Sequence, residues 1–204
     1  MIRKHILQLG FIVVIAAGAG VFYMNSRAGD GTATCRRSAV ASGTAAIGGP
    51  FQLVNHLGQT VSDKDVISEP SLVYFGYTFC PDVCPLDVAR NAAAVDVLQS
   101  KGVAVTPVFI TIDPDRDTPE VLADYVSVMH PKMVGLTGTP TQIRAVSDSY
   151  KTYFKKNGDG DDYLMDHSSF TYLMWPGTGF VEFYRRDLSA DDLAQSVLCY
   201  AEAS

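Results

Sequence analysis

Cys80 and Cys84 stand four positions apart in YFGYTFCPDVCPLD, and a proline follows each of them. Thiolates exchange disulfides and ligate soft metal ions, so the pair admits a disulfide enzyme or a metal site. Two buried thiols packed as small hydrophobes are the plain alternative. That alternative fits poorly with the polar neighbours Asp82 and Asp87. If the intervening turn is helical, residues four apart share a face, with Cβ atoms about 5–6 Å apart. Both sulfurs then reach one ion or each other. Three residues separate the cysteines, one more than in the C-x-x-C of disulfide oxidoreductases, and the wider gap suits holding an ion. A structural zinc site needs four ligands, and no second Cys or His pair lies at short spacing.

A metal site held by Cys80 and Cys84 requires a further ligand, and the histidines are His5, His56, His130 and His167. His5 precedes a long apolar segment and falls on the other side of it. His56 lies in an early hairpin. His130 is expected at a helix end before Pro131, where a solvated cation complements the dipole. His167, in DYLMDHSSFTYLM, comes directly before a strand and is the candidate. A satisfied core histidine is the competing reading. Asp166 adjoins it and could orient the ring, or could be a solvated loop carboxylate. Cys35 and Cys199 could pair with each other, or remain a tether thiol and a packed helix residue.

These residues need elements to position them. Leu72–Thr78 is a continuous apolar and aromatic run, the pattern of a buried strand. A helix is expected over Cys84–Ser100, with Leu86, Val88, Ala92, Val95 and Leu98 at roughly helical spacing. The cysteines therefore sit at a strand-to-helix junction. Unpaired N–H groups and the positive dipole end favour thiolates there. Val103–Ile112 reads as a second buried strand. Thr118 and Pro119 start a helix running to about His130. Met133–Leu136 is a short strand, and a helix from Thr139 to about Lys155 follows. NGDGDD reads as a solvated turn, because the glycine spacing of a calcium loop is absent. Strands at Ser169–Met174 and Phe180–Arg185 and a helix from Ser189 to near Glu202 complete the pattern. Phe51–Thr60 forms a leading hairpin. Strands alternating with helices and then a hairpin give an α/β fold with a mixed sheet flanked by helices on both faces. With a cysteine pair after the first central strand, the arrangement is thioredoxin-like. In IDPDRDTPE, Thr118 and Pro119 are explained by the cap. Asp113 and Asp117 remain open between a wall of the site and a turn.

The chain has 204 residues and a formal charge of -6, which argues against a nucleic-acid binder. Residues 6–24 carry no charged side chain, and as a helix they would span about 30 Å of hydrocarbon. Arg3 and Lys4 precede them, which places residues 1–5 in the cytoplasm and exports the rest. The segment reads as an uncleaved transmembrane anchor. A cleaved signal peptide competes, but apolar Val21, Phe22 and Tyr23 follow the small residues it would use. Residues 25–46 are rich in Gly, Ala, Ser and Thr and read as a flexible linker. Residues 47–204 form the folded domain.

Taken in order, GPFQLVNHLGQTVSDKD, SLVYFGYTFCPDVCPLD, ITIDPDRDTPEVLADY and DYLMDHSSFTYLMWPGTGF resemble the Sco/SenC family of copper-binding cytochrome c oxidase assembly proteins. The resemblance implies a thioredoxin-like domain on a membrane anchor. It implies one copper ion, Cu(I) or Cu(II), held by Cys80, Cys84 and His167, a soft set suited to copper. It further implies a non-enzymatic chaperone that passes copper to the binuclear centre of cytochrome c oxidase subunit II, with other copper or thiol carriers as partners. A thiol–disulfide reductase that keeps acceptor cysteines reduced is the reading from another class, with Cys80 and Cys84 as its redox pair. Many relatives carry His before the first cysteine, where this chain has Phe79. The expected location is the bacterial inner membrane, single-pass, with the domain facing the periplasm.

Overall fold

The apolar run after Pro70 forms β3, Ser71–Gly76, and every residue of it is buried. Such a strand needs hydrogen-bonded neighbours on both edges. They are β4, Thr106–Thr111, paired in parallel, and β8, Thr171–Trp175, paired antiparallel. β5, Val134–Thr137, adds in parallel to β4. β1, Gln52–Asn55, pairs antiparallel with β5 and with β2, Thr60–Ser62. β9, Gly179–Tyr184, closes the other edge against β8. The seven-stranded order is β2-β1-β5-β4-β3-β8-β9. The mixed α/β architecture expected from the alternating pattern is the one observed. The computed structural model describes Cys35 and residues 47–203. The expected anchor at residues 6–24 lies outside the described residues.

The helices are α1 (Asp63–Val66), α2 (Val83–Ser100), α3 (Pro119–Met129), α4 (Pro140–Ser149) and α5 (Ala190–Ala203). Thr118 and Thr139 accept from the backbone N–H groups of Val121 and Gln142, and each is followed by proline at the first helical position. Ser189 accepts from the N–H of Asp192. Adjacent strand residues face opposite sides, and the sheet is covered on both. Tyr74 stacks on Phe109, which packs against Tyr125 of α3. Phe75 meets Tyr150, just beyond α4, and Tyr172.

Two expectations are corrected. The helix after Thr139 ends at Ser149 rather than near Lys155, because Lys151 takes a left-handed conformation (φ 56°) that cannot continue it. The following residues form an unanticipated antiparallel hairpin, β6 (Phe154–Asn157) with β7 (Leu164–His167), outside the main sheet. The NGDGDD turn is its tip, with Gly158 and Gly160 at positive φ. Leu86, expected on the buried face of α2, is 61% exposed, and Asp87 and Asn91 are buried instead.

The chain divides into two units, Met1–Cys35 with Ala203, and Arg36–Glu202 with Ser204. In the first, Cys35 is buried and disulfide-bonded. The sheet belongs to the second, in which Cys199 is disulfide-bonded and Cys80 and Cys84 are free.

Candidate metal centre

β3 ends at Gly76, and the chain turns through Tyr77–Pro81 before α2 begins. The Cys80 N–H donates to the Tyr77 carbonyl at 3.2 Å. Asp82 stands at the N-cap of α2 but makes no side-chain cap bond. The Cys80 sulfur takes that place, accepting the Cys84 N–H at 3.3 Å. A helix terminus leaves such donors unpaired, and here a thiolate is what they meet. The Cys84 thiol, hydrogen-bonded to it, holds Cys80 well below the usual thiol range, helped by the N–H groups of Asp82 and Cys84. Cys84 is pushed up, first by donating to Cys80 and then by burial. The pair is poised as one thiolate, on the more accessible Cys80, and one thiol.

Cys84 is fully buried in the first turn of α2. Gly76 makes the room for it: a Cβ there would lie 3.1 Å from the Cys84 sulfur. His167 arrives from the β6–β7 hairpin, directly opposite Phe154 in the ladder. Its Nε2 lies 3.3 Å from Cys84 Sγ. Its Nδ1 lies 2.9 Å from the Ser168 carbonyl. A carbonyl only accepts, so Nδ1 carries the proton and the neutral ring presents a bare Nε2 to the sulfurs. Tyr74 and Tyr77 flank the ring edge-to-face, with centroids 6.4 and 6.0 Å away. The donor atoms of Cys80, Cys84 and His167 all lie within 4.8 Å of one another. Two sulfurs and a bare imidazole nitrogen could hold one soft ion, and the sulfurs could equally close on each other.

The loop after β4 supports the turn. Asp117 is fully buried and accepts from the Thr78 N–H at 3.0 Å, from the Thr78 hydroxyl at 2.6 Å and from Thr111. It ties the approach to Cys80 onto the end of β4. Asp113 accepts from Arg116 Nε and the Tyr163 hydroxyl, both at 2.6 Å. Both carboxylates, left open by sequence, are thus structural braces of the site. The signal available was their place just beyond a buried strand.

The other candidates lie elsewhere. His56 accepts the Gly135 N–H at 3.2 Å and so serves the β1–β5 edge. His130 is buried, not solvated: Nδ1 accepts from Lys132 N–H, and Nε2 meets Asp96 at 3.3 Å. Asp166 does not orient His167; it accepts from Asn157, and the Ser168 carbonyl takes the orienting role. Phe79 is 54% exposed, with the Arg116 guanidinium 4.7 Å over its ring. His5 lies outside the described residues.

The SCO1/SenC family model matches residues 39–202. Protein SenC of Rhodobacter capsulatus is 50% identical over 193 residues, which are 94% of this chain and 86% of that protein. The crystal structure of Arabidopsis thaliana ScoI with copper bound is 42% identical, with a TM-score of 0.75, over 78% of this chain and all (100%) of that one. The structure of Bradyrhizobium japonicum ScoI with copper bound is 38% identical, with a TM-score of 0.69, over 76% of this chain and 99% of that one.

Proposed function

Because the chain belongs to the SCO1/SenC family, we propose that it is a copper chaperone of cytochrome c oxidase assembly, with Cys80, Cys84 and His167 holding one copper ion. The observation that carries this reading is the convergence of two thiol sulfurs with an imidazole whose Nδ1 is committed to Ser168 and whose Nε2 is bare. The donor set fits copper. Two sulfurs suit Cu(I), the nitrogen extends the site toward Cu(II), and the set is too soft and too small for Mg or Ca. Copper is the cargo, and its acceptor in this reading is the binuclear centre of cytochrome c oxidase subunit II. Cys80, the more accessible sulfur, yields first to an incoming thiolate. Cys84 and His167, behind it, yield afterwards, so no free ion is released. Residues 6–24 anchor the chain in the inner membrane and residues 25–46 tether a periplasmic domain of residues 47–204. Among the described residues no helix is long and apolar enough to cross a membrane.

The test is metal analysis of the purified chain loaded anaerobically with reductant present. One copper per chain, lost when Cys80→Ser and Cys84→Ser are combined, is expected. Absence of copper in the parent protein would defeat the reading.

A second reading has its own support in the free, asymmetric thiol pair, with a thiolate at Cys80 and a thiol at Cys84. A reductase needs that arrangement: Cys80 attacks a disulfide and Cys84 resolves it. Fast reduction of a model disulfide by a protein that binds no copper would make it the better reading.

A further inference from the structure

Arg116 contributes no donor to the centre, yet three segments of the site meet on its side chain. Nε donates to Asp113 at 2.6 Å, and Nη1 donates to the Asp161 carbonyl at 3.1 Å. The guanidinium carbon lies 3.6 Å from the ring centroid of Tyr163, 4.7 Å from that of Phe79 and 5.8 Å from that of Tyr77. Tyr77 and Phe79 belong to the cysteine turn, Asp113 and Arg116 to the loop after β4, and Asp161 and Tyr163 to the hairpin. Tyr163 also donates to Asp113, closing the set. Nη2 is buried with no hydrogen-bond partner, so ring faces take up what hydrogen bonds do not.

We infer that Arg116 is a positioning residue that fastens the β6–β7 hairpin, and with it His167, to the cysteine turn. This rests on the reading of Cys80, Cys84 and His167 as the copper donors. The link from Arg116 to His167 runs along one strand face. Tyr163, Met165 and His167 alternate with exposed Leu164 and Asp166, so all three point inward. Holding Tyr163 at one end of that face sets the depth of His167 at the other. The hairpin pairs with no strand of the main sheet, and an isolated two-stranded hairpin is marginal on its own. Its seat is therefore made by side chains, Arg116 on Tyr163 and Arg144 on Phe154 among them. The cysteines do not share this dependence, because Asp117 ties their turn to β4 independently. Loosening Arg116 thus withdraws the nitrogen donor and leaves both sulfurs in place. Lysine cannot substitute, since its point charge lacks the plane that stacks on Tyr163 and the fork that reaches Asp113 and Asp161 together.

The test uses the full chain carrying Arg116→Ala, Arg116→Lys, His167→Ala, and Arg116→Ala combined with His167→Ala. In metal-free protein, hydrogen exchange of residues 154–167 is expected to quicken by roughly tenfold or more in Arg116→Ala, with β3 and β4 unchanged. Cu(II) affinity is expected to fall roughly tenfold, Cu(I) affinity less, and Arg116→Lys is expected not to restore either. In the His167→Ala background, Arg116→Ala is expected to add nothing to the loss of Cu(II) affinity, because it acts through that ring. Additive losses, unchanged exchange in the hairpin, or faster exchange throughout the sheet would each overturn the inference. If Arg116→Ala does not fold, Tyr163→Leu removes the same clasp from the hairpin side and is judged by the same criteria. A parent protein without copper affinity would sink the donor assignment, while hairpin exchange alone would still decide the clasp.

Discussion

The imidazole of His167 is held at both ring nitrogens: Nδ1 donates to the carbonyl of Ser168 at 2.9 Å, and Nε2 lies 3.3 Å from the sulfur of Cys84. The carbonyl dictates the tautomer, and the tautomer leaves a lone pair on the nitrogen that faces the cysteines. In the proposed copper site the ring is thereby prepared as a ligand before any ion arrives.

The thiol pair should react asymmetrically. Cys80 is held below the usual thiol range by the Cys84 thiol and by backbone N–H groups, and Cys84 is pushed up by donating to Cys80 and by burial. A lowered value keeps Cys80 ionised as pH falls, until the lowered value itself is crossed. Alkylation of Cys80 in reduced, metal-free protein should therefore stay flat between roughly pH 6 and 8, where an ordinary thiol slows about tenfold per unit as pH falls. A tenfold slope at Cys80, followed by mass spectrometry of each cysteine, would contradict the asymmetry.

Asp117 braces the turn through Thr78 and Thr111. Asp117→Ala strands the buried Thr111 hydroxyl and the half-buried donors of Thr78, at a cost of about 2–4 kcal/mol. A thermal melt should fall by roughly 5–15 °C for a domain of this size. Asp117→Asn, which keeps one acceptor oxygen, should lose less. A melt unchanged by either substitution would show that the brace carries no stability.

Among the described glycines, Gly76 is the one where a methyl group would press on the site from behind. The added Cβ would lie 2.9 Å from Tyr74 Cε1, 3.0 Å from Phe109 Cε2 and 3.1 Å from Cys84 Sγ. Gly76→Ala should cost about 1–3 kcal/mol, as overpacking does. Because the sulfur must give way, it should also shift the sulfur-to-Cu(II) absorption band. Lost stability with an unshifted band would mean that the rings alone absorb the strain.

Cys35 and Cys199 are each disulfide-bonded, and neither belongs to the donor triad. Replacing both with serine should leave the copper stoichiometry intact while lowering stability by about 2–4 kcal/mol. Copper lost from a variant that still folds would move the site to the wrong pair of cysteines.

The parts of this structure written in local pattern were legible in the sequence. β3 and β4 announce themselves as unbroken apolar runs, and Thr118, Thr139 and Ser189 mark helix starts by side-chain chemistry. The strand-to-helix junction located Cys80 and Cys84. His167 was the candidate ligand, but on the approach to β8, whereas it closes a separate hairpin. FKKN in β6 has one apolar residue and no alternation, and it follows a helical pattern that only the backbone of Lys151 breaks. The partners of His167, His130 and Arg116 were illegible for a related reason. They are a main-chain carbonyl, a carboxylate on another helix and rings from distant segments, and each depends on the fold being complete.

The most direct test of the central claim, that His167 completes a copper site with Cys80 and Cys84, is a copper competition titration of His167→Ala against the parent in each oxidation state. A two-sulfur site retains some Cu(I), whereas Cu(II) gains more from the nitrogen. The account predicts strongly weakened Cu(II) binding, a smaller loss for Cu(I), and a Cys80–Cys84 disulfide that forms as readily as before. Parent-like affinity for both ions in His167→Ala would make the histidine structural and contradict the claim.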